Sequence, residues 1–93
     1  MTDIEIYTKN WCPFCHRAKA LLHSQDLSFE EIDVTTDAER EQEMVLRSER
    51  RSVPQIFIGT RHIGGFDDLS ALHDSGELHR IIEAEQRELE TAA

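Results

Sequence analysis

The chain has 93 residues, of which 39% are hydrophobic and 31% charged, the balance of a globular domain rather than of a disordered segment. Its net charge of −9, from 19 acidic and 10 basic residues, disfavours nucleic acid and anionic membranes as partners. The sequence contains no apolar run long enough to cross a bilayer and no signal pattern at its start. We therefore expect a cytoplasmic protein, in a compartment where thiols are kept reduced.

Strand and helix signals alternate through the first third of the chain. Residues 4–8, IEIYT, predict a first strand from their β-branched and aromatic content. Cys12-Pro13 predicts the start of a helix, because proline is pre-organised for the first helical position. Apolar residues recur at helical spacing after it, and residues 29–34, FEEIDV, predict a second strand.

The middle of the chain predicts a helix and a hairpin. Thr36 followed by Glu39 fits a capping box, which would open a polar helix that runs to about Ser48. Residues 55–59, QIFIG, and 61–64, RHIG, are short β-rich runs separated by a Gly-Thr turn signal, so they predict two antiparallel strands.

The last third predicts two further helices. Asp67 or Asp68 is a candidate N-cap for the first, and Gly76 is its stop signal. The second, from about Leu78, carries apolar residues on one side and glutamates on the other. The order β-α-β-α-β-β-α-α predicts a single α/β domain over residues 1–93, in which a parallel βαβ half and a hairpin half share one small mixed sheet.

Both cysteines of the chain, Cys12 and Cys15, belong to one Cys-x-x-Cys pair. A structural zinc site needs four ligands, usually from two such pairs, and the five histidines form no second paired motif. A permanent disulfide between residues three apart would close too small a loop to constrain the unfolded chain. The pair and its position at a strand-to-helix turn favour redox chemistry.

The position of the pair also predicts which cysteine reacts first. Cys12 would lie at the helix N-terminus, where free backbone N–H groups and the helix dipole favour a thiolate. Lys9, and Arg17 or Lys19, would add positive charge, since no acidic residue stands between them. Cys15 lies one turn into the helix, with less exposure. We therefore expect Cys12 to attack and Cys15 to resolve, with no metal at the site.

Three motifs in order resemble those of the glutaredoxin family: WCPFC at 11–15, SVPQIFI at 52–58 and GGFDD at 64–68. The resemblance covers nearly the whole chain and is closest to the small bacterial dithiol type, whose motif reads Cys-Pro-Tyr-Cys. It implies a thioredoxin fold, with a four-stranded mixed sheet flanked by helices on both faces. It also implies glutathione as the co-substrate, with no tightly bound cofactor.

The resemblance further implies a glutathione site. Val53 would offer its backbone to the cysteinyl part of glutathione, beside a cis Pro54, and Lys9 would meet the glycyl carboxylate, with Arg51 as a candidate helper. The γ-glutamyl end would lie at the third motif, where Asp67 suits its ammonium group or acts as a plain N-cap. The candidate glutathione-binding residues are Lys9, Phe14, Val53, Pro54, Gly65, Phe66 and Asp67.

The chain departs from the usual family pattern at a few positions. Phe14 replaces the tyrosine between the cysteines, so we expect altered rates with a ring that still covers the disulfide. Trp11 and Phe14 are expected to line the cleft around the reactive sulfur. Ser52 stands where threonine is common, and His16 is expected to be an exposed helix residue rather than a partner of the thiolate.

The expected activity is reduction of glutathionylated proteins and of disulfide-containing proteins, by a monomer. One alternative is a thioredoxin-like redoxin that a flavoenzyme reduces in place of glutathione, which the GGFDD motif and Lys9 disfavour. Another is a carrier of an iron–sulfur cluster, which Pro13 disfavours. The third is an interaction domain with an idle cysteine pair.

Overall fold

The structure, a computed structural model, describes residues 4–92. Four strands and four helices follow one another in the predicted order. They are β1 (Ile4–Thr8), α1 (Pro13–Ser24), β2 (Glu30–Asp33), α2 (Ala38–Ser48), β3 (Gln55–Ile58), β4 (Arg61–Gly64), α3 (Phe66–Ser75) and α4 (Leu78–Ala92). Within residues 4–92, none of these helices is long and apolar enough to cross a bilayer.

The four strands form one mixed sheet in the order β2-β1-β3-β4. β1 pairs with β2 in parallel and with β3 in antiparallel fashion, and β3 pairs with β4 in the predicted hairpin. Tyr7 of β1 lies between Ile32 and Gln55 in this register. The prediction of a thioredoxin fold with a four-stranded mixed sheet is thus confirmed.

Side-chain alternation along the strands divides the core between the two faces of the sheet. Ile4 and Ile6 of β1 point to one face, where they belong to a buried cluster with residues of α1, α3 and α4. Tyr7 points to the other face and packs with Phe57 and with Met44 of α2. Helices therefore cover both faces of the sheet. A functional site is then expected at the ends of the central strands, β1 and β3, rather than on a face of the sheet.

Two helix starts differ from the prediction. The N-cap of α2 is Asp37 rather than Thr36, because the Asp37 carboxylate accepts a hydrogen bond from Arg40 N at 3.1 Å. Helix α3 begins at Phe66, with Gly65 as the N-cap, so neither Asp67 nor Asp68 is the N-cap residue. The Asp68 carboxylate accepts from Gly65 N at 3.0 Å and so caps the helix from inside its first turn.

The turn of the hairpin is tied to the last helix by a buried carboxylate. Gly59 takes a positive φ of 61° in this turn, and Thr60 N donates to Glu85 Oε1 at 3.2 Å. Glu85 is only 5% exposed, so its carboxylate satisfies a backbone donor while α4 packs against the sheet.

Candidate active site

Cys12 is the N-cap of α1, directly after the loop that leaves β1. Its backbone is extended, Pro13 occupies the first helical position, and the Cys12 side chain accepts a hydrogen bond from Cys15 N at 3.1 Å. A sulfur here meets the N–H groups that the first turn of a helix leaves unpaired. The predicted start of this helix at Cys12-Pro13 is confirmed.

The Cys12 sulfur also faces the loop that precedes β3. Cys12 Sγ lies 3.6 Å from Val53 O, within range for a thiol that donates to a carbonyl. The peptide bond between Val53 and Pro54 is cis, as the family resemblance implied. The start of α1, at Cys12, and the loop before β3, at Val53, therefore lie next to each other.

The two cysteines have different environments. Both are free, buried thiols, with 3% of Cys12 and 0% of Cys15 exposed, so they differ in hydrogen bonding more than in exposure. Burial, and then the hydrogen bond with Cys12, raise the pKa of Cys15 to about 12, although a hydrogen bond with the Lys9 backbone and the charge of Lys19 act in the opposite direction. Cys15 is therefore a protonated, shielded thiol at neutral pH.

A groove of about 240 Å³ runs from the cysteine motif to the start of α3. It is open to solvent along one side and combines backbone, aromatic and charged groups. Its lining residues are Phe14, Arg50, Ser52, Val53, Pro54, Gln55, Gly65, Phe66, Asp67 and Asp68. Six of the seven candidate glutathione-binding residues thus lie around one groove.

Arg50 is a groove residue that sequence reasoning missed. Its guanidinium forms an ion pair with Asp68 at 3.4 Å, next to the first turn of α3. Arg51, the candidate helper of Lys9 at the glycyl carboxylate, is exposed and is not among the described residues that line the groove. Arg50 and Arg51 are adjacent in a loop, where no periodic pattern predicts which side chain faces the groove. Only the structure shows that Arg50 does.

Aromatic side chains form one rim of the groove. Phe14 is 50% exposed, and its ring centroid lies 6.3 Å from that of Phe66. The Arg17 guanidinium lies 5.3 Å from the Phe14 ring centroid, in a cation–π contact. Trp11 is 68% exposed and is not among the described residues that line the groove, so the expectation that it lines the cleft is not met.

The basic residues near the cysteines are paired with acids from other elements. Lys9 Nζ lies 2.8 Å from Glu41 Oε2 of α2 and outside the described groove lining. Lys19 Nζ lies 2.9 Å from Glu31 Oε2 of β2. Burial alone would raise the pKa of Glu31, but hydrogen bonds from Thr8 and Lys19 outweigh it and lower that pKa. The predicted positive surroundings of the cysteines are therefore partly neutralised.

One further expectation concerns His16. His16 is exposed, as expected, with its Nε2 3.3 Å from Asn10 O. Within the part of the chain that the structure describes, no group of three or more His, Cys, Asp and Glu side chains is arranged to hold a metal ion.

Comparison with known proteins shows the family. The sequence model of the family described as Glutaredoxin matches residues 4–63. Glutaredoxin 3 of Escherichia coli strain K12 is 52% identical over 82 residues, which cover 88% of this chain and 99% of that protein. The solution structure of a glutaredoxin from Brucella melitensis is 50% identical, with a TM-score of 0.78 over 88% of this chain and 89% of that one.

A more distant structure, a crystal structure of a buckwheat glutaredoxin–glutathione complex, shares the fold. Its TM-score is 0.81 at 24% identity, and the match covers 91% of this chain and 80% of that one. With a Cys-x-x-Cys pair at the start of α1 and matches that span most of the chain, this protein belongs to the glutaredoxin family of thiol–disulfide oxidoreductases.

Proposed function

We propose that the protein is a glutathione-dependent oxidoreductase that reduces protein–glutathione mixed disulfides and protein disulfides through Cys12 and Cys15. The observation that carries the proposal is the groove that begins at Phe14 and Val53, beside the Cys12 sulfur, and ends at the N-terminus of α3. An extended tripeptide whose cysteine sulfur meets Cys12 would fit along it.

With a glutathionylated protein, the reaction needs only Cys12. The Cys12 thiolate attacks the glutathionyl sulfur, so that a Cys12–glutathione disulfide forms and the protein leaves as a thiolate that takes up a proton. The thiolate of a second glutathione then attacks the glutathionyl sulfur of this adduct. Oxidised glutathione is released and the Cys12 thiolate returns. The Cys15 N–H, 3.1 Å from Cys12 Sγ, supports the negative charge on the leaving sulfur.

With a protein disulfide, Cys15 has a role. Cys12 first forms a mixed disulfide with one substrate sulfur and releases the other. Cys15 then loses its proton and attacks Cys12 Sγ, which frees the substrate thiolate to take up a proton and leaves a Cys12–Cys15 bridge. Two glutathione molecules reduce this bridge and leave as oxidised glutathione. A potential near that of other glutaredoxins, about −200 to −230 mV, would let a cytosolic glutathione pool keep the pair reduced.

The charges of the γ-glutamyl end of glutathione match those at the α3 end of the groove. The free N–H groups at the start of α3 and the Arg50 guanidinium suit its γ-glutamyl carboxylate, and Asp67 suits its ammonium group. The Val53 backbone suits the cysteinyl peptide as an added strand. Lys9 would reach the glycyl carboxylate only by giving up its ion pair with Glu41.

The test is glutathione-coupled reduction of a small mixed disulfide by the wild type, Cys12→Ser and Cys15→Ser. We expect Cys12→Ser to be inactive and Cys15→Ser to keep turnover of the mixed disulfide while losing turnover of a protein disulfide. A wild type that is inactive with glutathione but active with a thioredoxin reductase would refute the proposal and favour a flavoenzyme-linked redoxin.

A further inference from the structure

A buried amide holds together the loop that faces Cys12. Gln55, the first residue of β3, is only 1% exposed. Its Nε2 lies 3.0 Å from Ser52 O and 3.3 Å from Ser52 Oγ. These bonds bridge the two ends of the Ser52–Gln55 segment, which contains the Val53 carbonyl beside the Cys12 sulfur. Because a carbonyl oxygen only accepts, the NH₂ end of the Gln55 amide must point at Ser52.

The other end of this amide is held by a histidine. His62 of β4 has its Nε2 2.7 Å from Gln55 Oε1. Since the orientation of the amide makes Oε1 the acceptor, His62 must carry a proton on Nε2 and donate it. The imidazole is also packed on Phe57 of β3, with ring centroids 4.9 Å apart. The chain of hydrogen bonds therefore runs from His62 through Gln55 to Ser52.

We infer that His62 is a positioning residue for the glutathione groove: its Nε2–H fixes Gln55, and Gln55 fixes the Ser52–Pro54 backbone that glutathione would pair with. The inference rests on the proposed function, because it concerns that same groove. His62 is not among the described residues that line the groove, so it acts through Gln55 rather than by contact with the ligand.

The surroundings of His62 support a neutral donor. Burial lowers the pKa of His62, and the positive charges of Arg50 and Arg47 lower it further, against the opposite effect of Asp68. At neutral pH the ring is therefore uncharged, and its single N–H is the one given to Gln55. Loss of this donor would leave a buried amide oxygen without its partner and free the amide to rotate away from Ser52.

Two variants separate the hydrogen bond from the packing of the ring. His62→Phe keeps an aromatic ring against Phe57 but has no donor. His62→Gln loses the ring but offers a side-chain N–H at about the position of the imidazole Nε2. As a matched control, His23→Phe alters a histidine that also packs on a phenylalanine, with ring centroids 5.1 Å apart, on α1 away from the groove.

The assay is steady-state reduction of a mixed disulfide at varied glutathione concentration. We expect His62→Phe to raise the KM for glutathione about tenfold, the order of one lost buried hydrogen bond, with a smaller change in kcat. We expect His62→Gln to stay within about threefold of wild type by the same reasoning. His23→Phe should leave the KM unchanged. Equal KM values for wild type and His62→Phe, or equal losses in His62→Phe and His62→Gln, would overturn the inference.

A spectroscopic readout separates failure of this inference from failure of the proposed function. In ¹⁵N-labelled wild type, the imidazole nitrogens of His62 should show the Nε2–H tautomer at pH 7.5. The side-chain amide signals of Gln55 should move in His62→Phe and return towards wild type in His62→Gln. If the wild type does not turn over with glutathione, the proposed function fails while these signals still decide whether His62 orients Gln55. An Nδ1–H tautomer would overturn the positioning role by itself.

Discussion

The contrast between the two cysteines predicts that Cys15 is nearly inert to alkylation in the folded protein. We consider the Cys12→Ser variant, in which Cys15 is the one remaining thiol and its burial, the largest cause of its raised pKa, is retained. The pKa of about 12 belongs to the wild type, in which the Cys12 side chain also helps to raise it. At that pKa, about one molecule in 10⁴ is thiolate at pH 8, against about one in ten for an ordinary thiol of pKa about 9. The reactive fraction therefore falls by about 1000-fold in the wild type and by less in Cys12→Ser, where burial still raises the pKa of Cys15 but the contribution of Cys12 is gone.

Two further effects modify this factor. A more basic thiolate is intrinsically more nucleophilic, and a Brønsted slope of about 0.4–0.5 returns a factor of about 15–30 over three pKa units. The sulfur is also fully buried, which slows the approach of the reagent. We therefore expect alkylation of Cys15 to be roughly 10- to 100-fold slower than that of an unfolded cysteine.

The assay is the rate of iodoacetamide incorporation by mass spectrometry, in buffer and in denaturing urea, between pH 7 and 10. In folded Cys12→Ser the rate should still be rising at pH 10, where the rate of an unfolded cysteine has levelled off, because burial holds the pKa of Cys15 above its ordinary value. In urea the same thiol should react as a free cysteine. A folded-state rate within threefold of the urea rate at pH 8, or a plateau below pH 10, would refute the assignment of Cys15 as a shielded thiol.

Two further predictions concern the start of α3 and the ion pair of Lys9. Gly64→Ala should destabilise the protein by more than the roughly 1–3 kcal/mol that a strained positive φ costs, because Gly64 has a φ of 116° and an added Cβ would collide with the Asp68 carboxylate. Gly76→Ala is the control in urea unfolding. Gly76 also has a positive φ, but among the described residues beyond its chain neighbours no atom lies within 4 Å of an added Cβ. Equal losses in the two variants would contradict the collision. Glu41→Gln should lower the KM for glutathione by a few-fold, the scale of an exposed ion pair, because it releases Lys9 from its 2.8 Å contact, and the effect should vanish in a Lys9→Met background. An unchanged KM in Glu41→Gln would mean that Lys9 does not meet the ligand.

Much of the fold was predictable because hydrophobic periodicity and turn signals are local. The strands of the hairpin follow the two β-rich runs on either side of Gly59-Thr60, and the stop of α3 falls at Gly76 as predicted. Helix caps were predicted less well, because Thr36 and Asp37 are both good N-cap residues. Only the approach of the Asp37 carboxylate to Arg40 N selects between them.

The parts of the site that belong to one local motif could be predicted from the sequence. The partners of charged side chains could not, because those partners are distant in the sequence. The motif predicted Cys12 at the start of α1 and Cys15 in its first turn, and the structure has them there; their roles in the reaction stay a prediction. The partner of Lys9 could not be assigned, because Glu41 lies 32 residues away in the sequence and on another helix. The contact between His62 and Gln55 likewise depends on how β3 and β4 pair, and their register includes an irregularity next to Phe57 that no turn signal in the sequence indicates.

The buried thiol of Cys15 also has a thermodynamic consequence for electron transfer. Because Cys15 remains protonated up to about pH 12, each reduction of the Cys12–Cys15 bridge takes up at least one proton together with two electrons. For a two-electron couple, each proton taken up makes the midpoint potential more negative by about 30 mV per unit rise in pH. The midpoint potential of the Cys12–Cys15 pair therefore becomes more negative in a more alkaline medium. Part of this dependence on pH comes from the proton on Cys15, a residue that has no exposed surface.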